Sequence, residues 1–151
     1  MSIVPAEHRR VALDSAPLIY FLEGRGARGS AVRELLAAAR GGACELVVSA
    51  ITEAELLVGP LRADNPKATD AVRAMLGGSL PVHVVEVTRP IARAAAGLRA
   101  RFGLRLANAL VVASALDADC TALVSNDAAL RRVGDLITYI HLDDHVRRDA
   151  P

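Results

Sequence analysis

At 151 residues, 52% of them apolar, the chain has the material for one substantial core and is not a disordered polymer. Aromatics make up 3% and Trp is absent, so Ala, Val, Leu and Ile must fill that core. A formal charge of +1 demands no nucleic-acid partner through bulk electrostatics, and no run of about 18 apolar residues is present to span a bilayer.

The first ten residues, MSIVPAEHRR, contain no apolar segment of the kind a secretory signal needs, so a cytoplasmic location away from membranes is expected. Cys44 and Cys120 match no zinc spacing and are expected to be buried, reduced thiols. Lys67 is the only lysine among 18 basic residues, an arginine bias that GC-rich codon usage explains as well as function does.

In chain order, the apolar run Arg10 to Leu13 reads as a strand. Asp14-Ser15 and a helix through Leu18, Ile19, Phe21 and Leu22 follow, stopping at Gly24. Gly24 to Ser30 reads as a loop, and Val32, Leu35, Leu36 and Ala39 recur at helical spacing as far as Gly41-Gly42. A second strand, Glu45 to Val48, runs into Ser49 and a helix containing Thr52 to Val58. Asp64-Asn65-Pro66 predicts a turn before a helix from Lys67 to Leu76 that ends at Gly77-Gly78. Val82 to Val87 alternates as a third strand. Pro90 then opens a helix that reaches Phe102, before Gly103. Leu106 to Leu116 is a strongly apolar helix, Ala122 to Val124 a fourth strand, Asp127 to Val133 a short helix, and Ile137 to Leu142 a last strand.

Alternating β and α segments with uncharged strands predict a parallel sheet covered on both faces. No repeat or linker interrupts the pattern, so residues 1–151 are expected to form a single domain with its core at about 10–142. Right-handed crossovers put every strand's carboxyl end on one edge, and ligands of open α/β sheets bind there, where the strand order reverses. Asp14 follows the first strand, Ser125-Asn126-Asp127 follows the fourth, Glu55 lies six residues past Ser49, and Asn108 sits at the start of the apolar helix.

Each of these residues also has a purely local reading. Asp14 or Ser15 fits a helix cap followed by Pro17, Thr52-Glu53-Ala54-Glu55 fits a capping box, and Asp127 and Asn108 fit caps of the helices they open. Caps, however, need not fall after successive strands of one sheet edge. Gathered carboxylates repel by about 4 kcal/mol per close pair at an effective dielectric of about 20. A hard divalent cation such as Mg²⁺ or Mn²⁺ removes that cost and can activate water against a phosphodiester.

These segments resemble a known family. Val11-Ala12-Leu13-Asp14-Ser15 with Leu18 to Leu22, Val48 to Thr52 with Ala54 to Gly59, Leu104 to Leu110, and Leu123 to Asp127 are similar to the PIN-domain ribonucleases, especially VapC-type toxins of bacterial toxin–antitoxin pairs. The resemblance runs from about Val11 to Leu142 in the right order. It implies a PIN-like three-layer α/β/α sandwich with a five-stranded parallel sheet. It also implies a Mg²⁺ or Mn²⁺ site, hydrolysis of RNA, a cognate antitoxin partner and a homodimer. Asp14, Glu55 and Asp127 match the family's acidic, metal-holding positions, and Ser15 and Asn126 match the polar residues that accompany them. With Asn108, the three acids make up the implied catalytic set.

Asn108 is the departure, because VapC-like proteins normally carry Asp there. Asn keeps one carbonyl oxygen, loses a negative charge and adds an NH₂ donor. Metal binding should survive this better than cleavage, so the alternative is a weakened PIN-fold protein that binds RNA or an antitoxin. Of the arginines Arg89, Arg93, Arg99, Arg101 and Arg105, the last three are the candidates for RNA contact, although solvated helix faces explain them equally well. Tyr20 and Phe21 read as core, and the pair His141 and His145 reads as strand-end residues rather than metal ligands. A phosphoacceptor receiver domain would need a lysine after the last strand, and a haloacid-dehalogenase-like phosphatase an Asp where Ala16 stands.

Overall fold

β1, Arg10–Leu13, passes through the middle of the molecule with Val11, Ala12 and Leu13 all buried, as a run of consecutive apolar residues requires when both faces of a sheet are covered. The structure, a computed structural model, describes residues 3–24 and 26–146. The expected span 1–151 extends past these at both ends, and Arg25 of the expected loop also lies outside them.

The remaining elements follow in β–α alternation: α1 (Ser15–Glu23), α2 (Gly26–Arg40), β2 (Glu45–Ser49), α3 (Ala50–Arg62) and α4 (Pro66–Ala74). A π-helical turn (Met75–Ser79) leads into β3 (Val82–Val85), α5 (Arg89–Phe102) and α6 (Leu106–Asp117). β4 (Ala122–Ser125), a 3₁₀ turn (Ala128–Val133), β5 (Thr138–His141) and a second 3₁₀ turn (Leu142–His145) complete the described chain. All five strands are parallel, in the order β3-β2-β1-β4-β5. The expected five-stranded sandwich is the fold observed.

Alternate side chains of each strand feed two cores. Val11, Leu13, Leu46, Val48 and Val124 pack with Leu18, Val32, Leu35, Leu56 and Val72 from α1 to α4. Ala12, Val47 and Leu123 pack on the opposite face with Ile91, Ala95, Val111 and Val112 from α5 and α6. Cys44 and Cys120 are free and buried, as expected, and burial pushes the Cys120 thiol up to about 11. No helix among the described residues is long and apolar enough to cross a membrane.

Two local expectations are corrected. The predicted loop Gly24 to Ser30 is largely helical, because α2 already begins at Gly26. Its glycines serve a tight corner: Gly24 and Gly26 take left-handed φ values of 66° and 73°. Gly29, inside α2, lies so near α1 that a Cβ there would sit 3.0 Å from the Tyr20 carbonyl oxygen. The helix after β2, Ala50–Arg62, contains the expected stretch Thr52 to Val58. Its cap is Ser49, whose Oγ accepts from the Ile51 N–H at 3.3 Å. The third strand ends at Val85, so Glu86 and Val87 lead into the Thr88 cap of α5.

Candidate functional site

The strand order turns back between β1 and β4, whose helices leave toward opposite faces and open a cleft at their carboxyl ends. The two strands run level, with Leu13 opposite Val124 and the Asp14 N–H donating to the Val124 carbonyl at 3.0 Å. Asp14, Glu55, Asn108 and Asp127 line this cleft of about 350 Å³, together with Ser15, Asn126 and Arg105. The separate parts of the chain that the sequence nominated therefore meet.

Asp14 is 6% exposed. One carboxylate oxygen accepts from the Ser15 N–H at 2.8 Å and the other from the Ser125 hydroxyl at 2.7 Å. It is thus both a cap for α1 and a wall of the cleft; the two readings were not exclusive. Burial raises its pKa above the ordinary carboxylate value, the neighbouring Asp127 adds to the rise, and the two hydrogen bonds and Arg105 oppose it.

Glu55, half-buried on α3, makes no hydrogen bond or ion pair with the described residues. Burial raises its pKa, with a further push from Asp14 and a counter-pull from Arg105. The capping-box reading for Glu55 fails, since the cap lies three residues before Thr52 and leaves Glu55 beyond the first turn.

Asp127 behaves differently. One oxygen caps the 3₁₀ turn by accepting from the Ala129 N–H at 3.0 Å. The other accepts from Asn108 Nδ2 at 2.9 Å and from Arg105 Nη2 at 3.2 Å. The Asn108 hydrogen bond is the main reason its pKa falls below the usual range. Asn108 caps nothing: α6 opens at Arg105, with no side-chain cap, and Asn108 is buried inside the first turn. Only its NH₂ group can face the carboxylate oxygen at that distance, because its own carbonyl oxygen would be repelled.

Ser125, which sequence reasoning passed over, couples the two halves. Fully buried, it donates to Asp14 and accepts from the Asp127 N–H at 3.0 Å. Its position as the last residue of a strand, one step before the polar pair, was the available signal. Asn126 turns toward the C-terminal side. Its Nδ2 donates to Asp143 Oδ1 at 3.1 Å and to the Tyr20 hydroxyl at 3.3 Å, and its Oδ1 accepts from the Asp143 N–H. Arg28 grips Asp143 with two nitrogens, at 2.8 and 2.6 Å, and lies 4.8 Å from the Tyr20 ring centroid. Tyr20, expected in the core, packs against it only in part and also lines the cleft.

Tyr139 donates its hydroxyl to the Asp127 carbonyl at 3.0 Å and meets His141 Nδ1 at 2.6 Å. Burial pushes its pKa up to about 12, so it remains a donor. Of the candidate arginines, only Arg105 lines the cleft. Arg99 donates to the Leu104 carbonyl at 2.8 Å, bracing the α5–α6 connection, and Arg101 lies over the Phe102 ring at 4.7 Å.

An all-oxygen donor set with two carboxylates raised by burial and, in smaller part, by a neighbouring acid suits a hard divalent cation. The fit is best on the Asp14–Glu55 side, where Glu55 has no hydrogen-bond or ion-pair partner among the described residues. The Asp127 carboxylate already accepts from Ala129, Asn108 and Arg105. Among the described residues, no three His, Cys, Asp or Glu side chains close into a group that could hold an ion.

The PIN domain family model matches residues 11–136. This chain belongs to the PIN domain family. No curated protein sequence matches it at a significant level. Solved structures with the PIN domain's fold do match. A toxin–antitoxin complex from Klebsiella pneumoniae has a TM-score of 0.65 at 18% identity, covering 87% of this chain and 97% of that one. VapBC2 from Rickettsia felis, bound to a promoter DNA fragment, has 0.64 at 17%, covering 85% and 96%. VapBC-1 from nontypeable Haemophilus influenzae has 0.64 at 18%, covering 89% and 98%. At these identities the likeness is one of fold.

Proposed function

We propose that this PIN domain is a divalent-metal-dependent endoribonuclease of the VapC-like toxin kind, hydrolysing RNA phosphodiester bonds at the cleft between β1 and β4. The observation that carries this reading is the convergence of Asp14, Glu55 and Asp127 on one sheet edge, with Glu55 unpartnered among the described residues and Asp14 raised by burial. A bound Mg²⁺ or Mn²⁺ would activate water and offset charge building on the phosphodiester. Asp14 and Glu55 would hold it, with Asp127 as the third acid. Ser125 fixes the orientation of Asp14, and Ser15 and Asn126 support the strand ends. Arg105, exposed at the rim, is suited to a substrate phosphate.

A weakened enzyme that binds RNA or antitoxin with little cleavage is the second reading. The Asn108–Asp127 hydrogen bond favours it, since one carboxylate of the set is already satisfied within the chain. Cleavage of RNA in Mn²⁺ by the parent, Asn108→Asp and Asp14→Ala separates the two. The first reading expects parent cleavage that Asp14→Ala lowers more than about 100-fold, beyond the loss typical of a residue that merely supports a ligand. Cleavage only by Asn108→Asp favours the second. Inertness of all three on varied RNAs, structured ones included, overturns the nuclease assignment.

The three matched structures are toxin–antitoxin or VapBC assemblies by their own descriptions, which supports a cognate antitoxin as partner. A single-domain chain, working as a homodimer in the cytoplasm, completes the proposal. Sedimentation of the purified protein tests the dimer.

A further inference from the structure

Among the described residues, Asp127 is the one acid of the cleft already held in an ion pair with a basic side chain. Asn108 Nδ2 and Arg105 Nη2 converge on the same oxygen, Oδ2, from the first turn of α6 and from the residue just before it, while Oδ1 is taken by the Ala129 N–H. Asn108 itself is buried, and its contact with Asp127 is partly so. The Arg105 side chain, by contrast, is 78% exposed, with room to leave. On the other side of the cleft Glu55 has no partner among the described residues, and the acids do not close into an ion-holding group.

We infer that Arg105, backed by Asn108, is an internal stand-in cation: it occupies Asp127 in the resting protein and competes with the divalent ion for that carboxylate. The inference rests on the metal-site reading above. Asp14 and Glu55 would hold a bound cation, and Asp127 would be free to join them once the Arg105 guanidinium leaves its carboxylate. Competition for one oxygen couples the two occupancies, so weakening the arginine contact must strengthen ion binding.

Mn²⁺ titration by calorimetry, without RNA, tests this on the parent, Arg105→Gln, Arg101→Gln and Asp14→Asn. Arg101 carries the same charge nearby on the chain but does not line the cleft, so its variant reports on net charge alone. The expected result is Mn²⁺ binding tightened by about 2- to 5-fold in Arg105→Gln, the range an exposed ion pair commands. Arg101→Gln should stay at the parent value, and Asp14→Asn should lose binding. Gain of measurable binding by Arg105→Gln where the parent has none also supports the inference. If Arg105→Gln matches the parent, or Arg101→Gln tightens equally, the stand-in role is overturned while the metal site stands on the Asp14→Asn loss. If Asp14→Asn binds as the parent does, or neither the parent nor Arg105→Gln binds, the metal reading falls and takes this inference with it. Arg105 is exposed enough for its variant to fold, which circular dichroism verifies.

Discussion

Asp14 at the end of β1 and Asp127 at the end of β4 both cap a helical segment and both face the same cleft, yet their surroundings act on them in opposite directions. Asp14 is buried among neutral donors, with Glu55 behind it, and is pushed toward its protonated form. Asp127 is half-exposed, bonded by Asn108 and Arg105, and is held ionised. A residue type and a strand-end position therefore do not set a carboxylate's state. What sets it is the balance between lost hydration and the donors gained.

Ser125→Ala should disturb both sides most, because it removes a donor to Asp14 and leaves the Asp127 N–H without its acceptor. A destabilisation of about 2 to 3 kcal/mol is expected, read by urea unfolding. Next, Asn108→Asp would make the Asp127 side resemble the Asp14 side by replacing a donor with a second acid. It should cost about 1 to 2 kcal/mol without metal, and Mn²⁺ should raise the Tm of the variant more than that of the parent.

The pH dependence sharpens the same contrast. For Asp14, between the ordinary carboxylate value and the raised folded value, only the folded state holds the proton. Stability therefore falls as pH rises through that window. Asp127, being lowered, contributes stability above the ordinary value that is lost as pH falls through its folded value. Urea midpoints from neutral pH down toward the ordinary carboxylate value should therefore rise less in Asp14→Asn than in the parent. The smallest effect is expected for Arg28→Ala. Its bond to Asp143 is solvent-exposed and two residues removed from the cleft acids, so the urea midpoint should stay near the parent's.

The strands were legible because a strand buried on both faces is written as consecutive apolar residues, and Val11 to Leu13, Leu46 to Val48 and Ala122 to Val124 are such runs. The acids were legible because each sits at a fixed short distance from a strand end. The stretch from Gly24 to Ser30 misled, since glycines that permit a left-handed corner and a close helix contact carry the same signature as a loop. Thr52-Glu53-Ala54-Glu55 misled because Ser49, three residues earlier, offers the same capping chemistry at the end of the strand.

Short-range chemistry thus determined, from the sequence by itself, that this is a parallel α/β chain with acids at one edge, and the family pattern named its class. Partners were decided only by the tertiary structure. Ser125 and Asp14 are 111 residues apart and meet because β4 lies beside β1; Asn108 reaches Asp127 because α6 begins where β4 ends. Hydrogen bonds and desolvation act over a few ångströms of space, whatever the separation along the chain. The state of each carboxylate follows from burial and from the groups that the fold brings beside it, added to the backbone donors next to it in sequence.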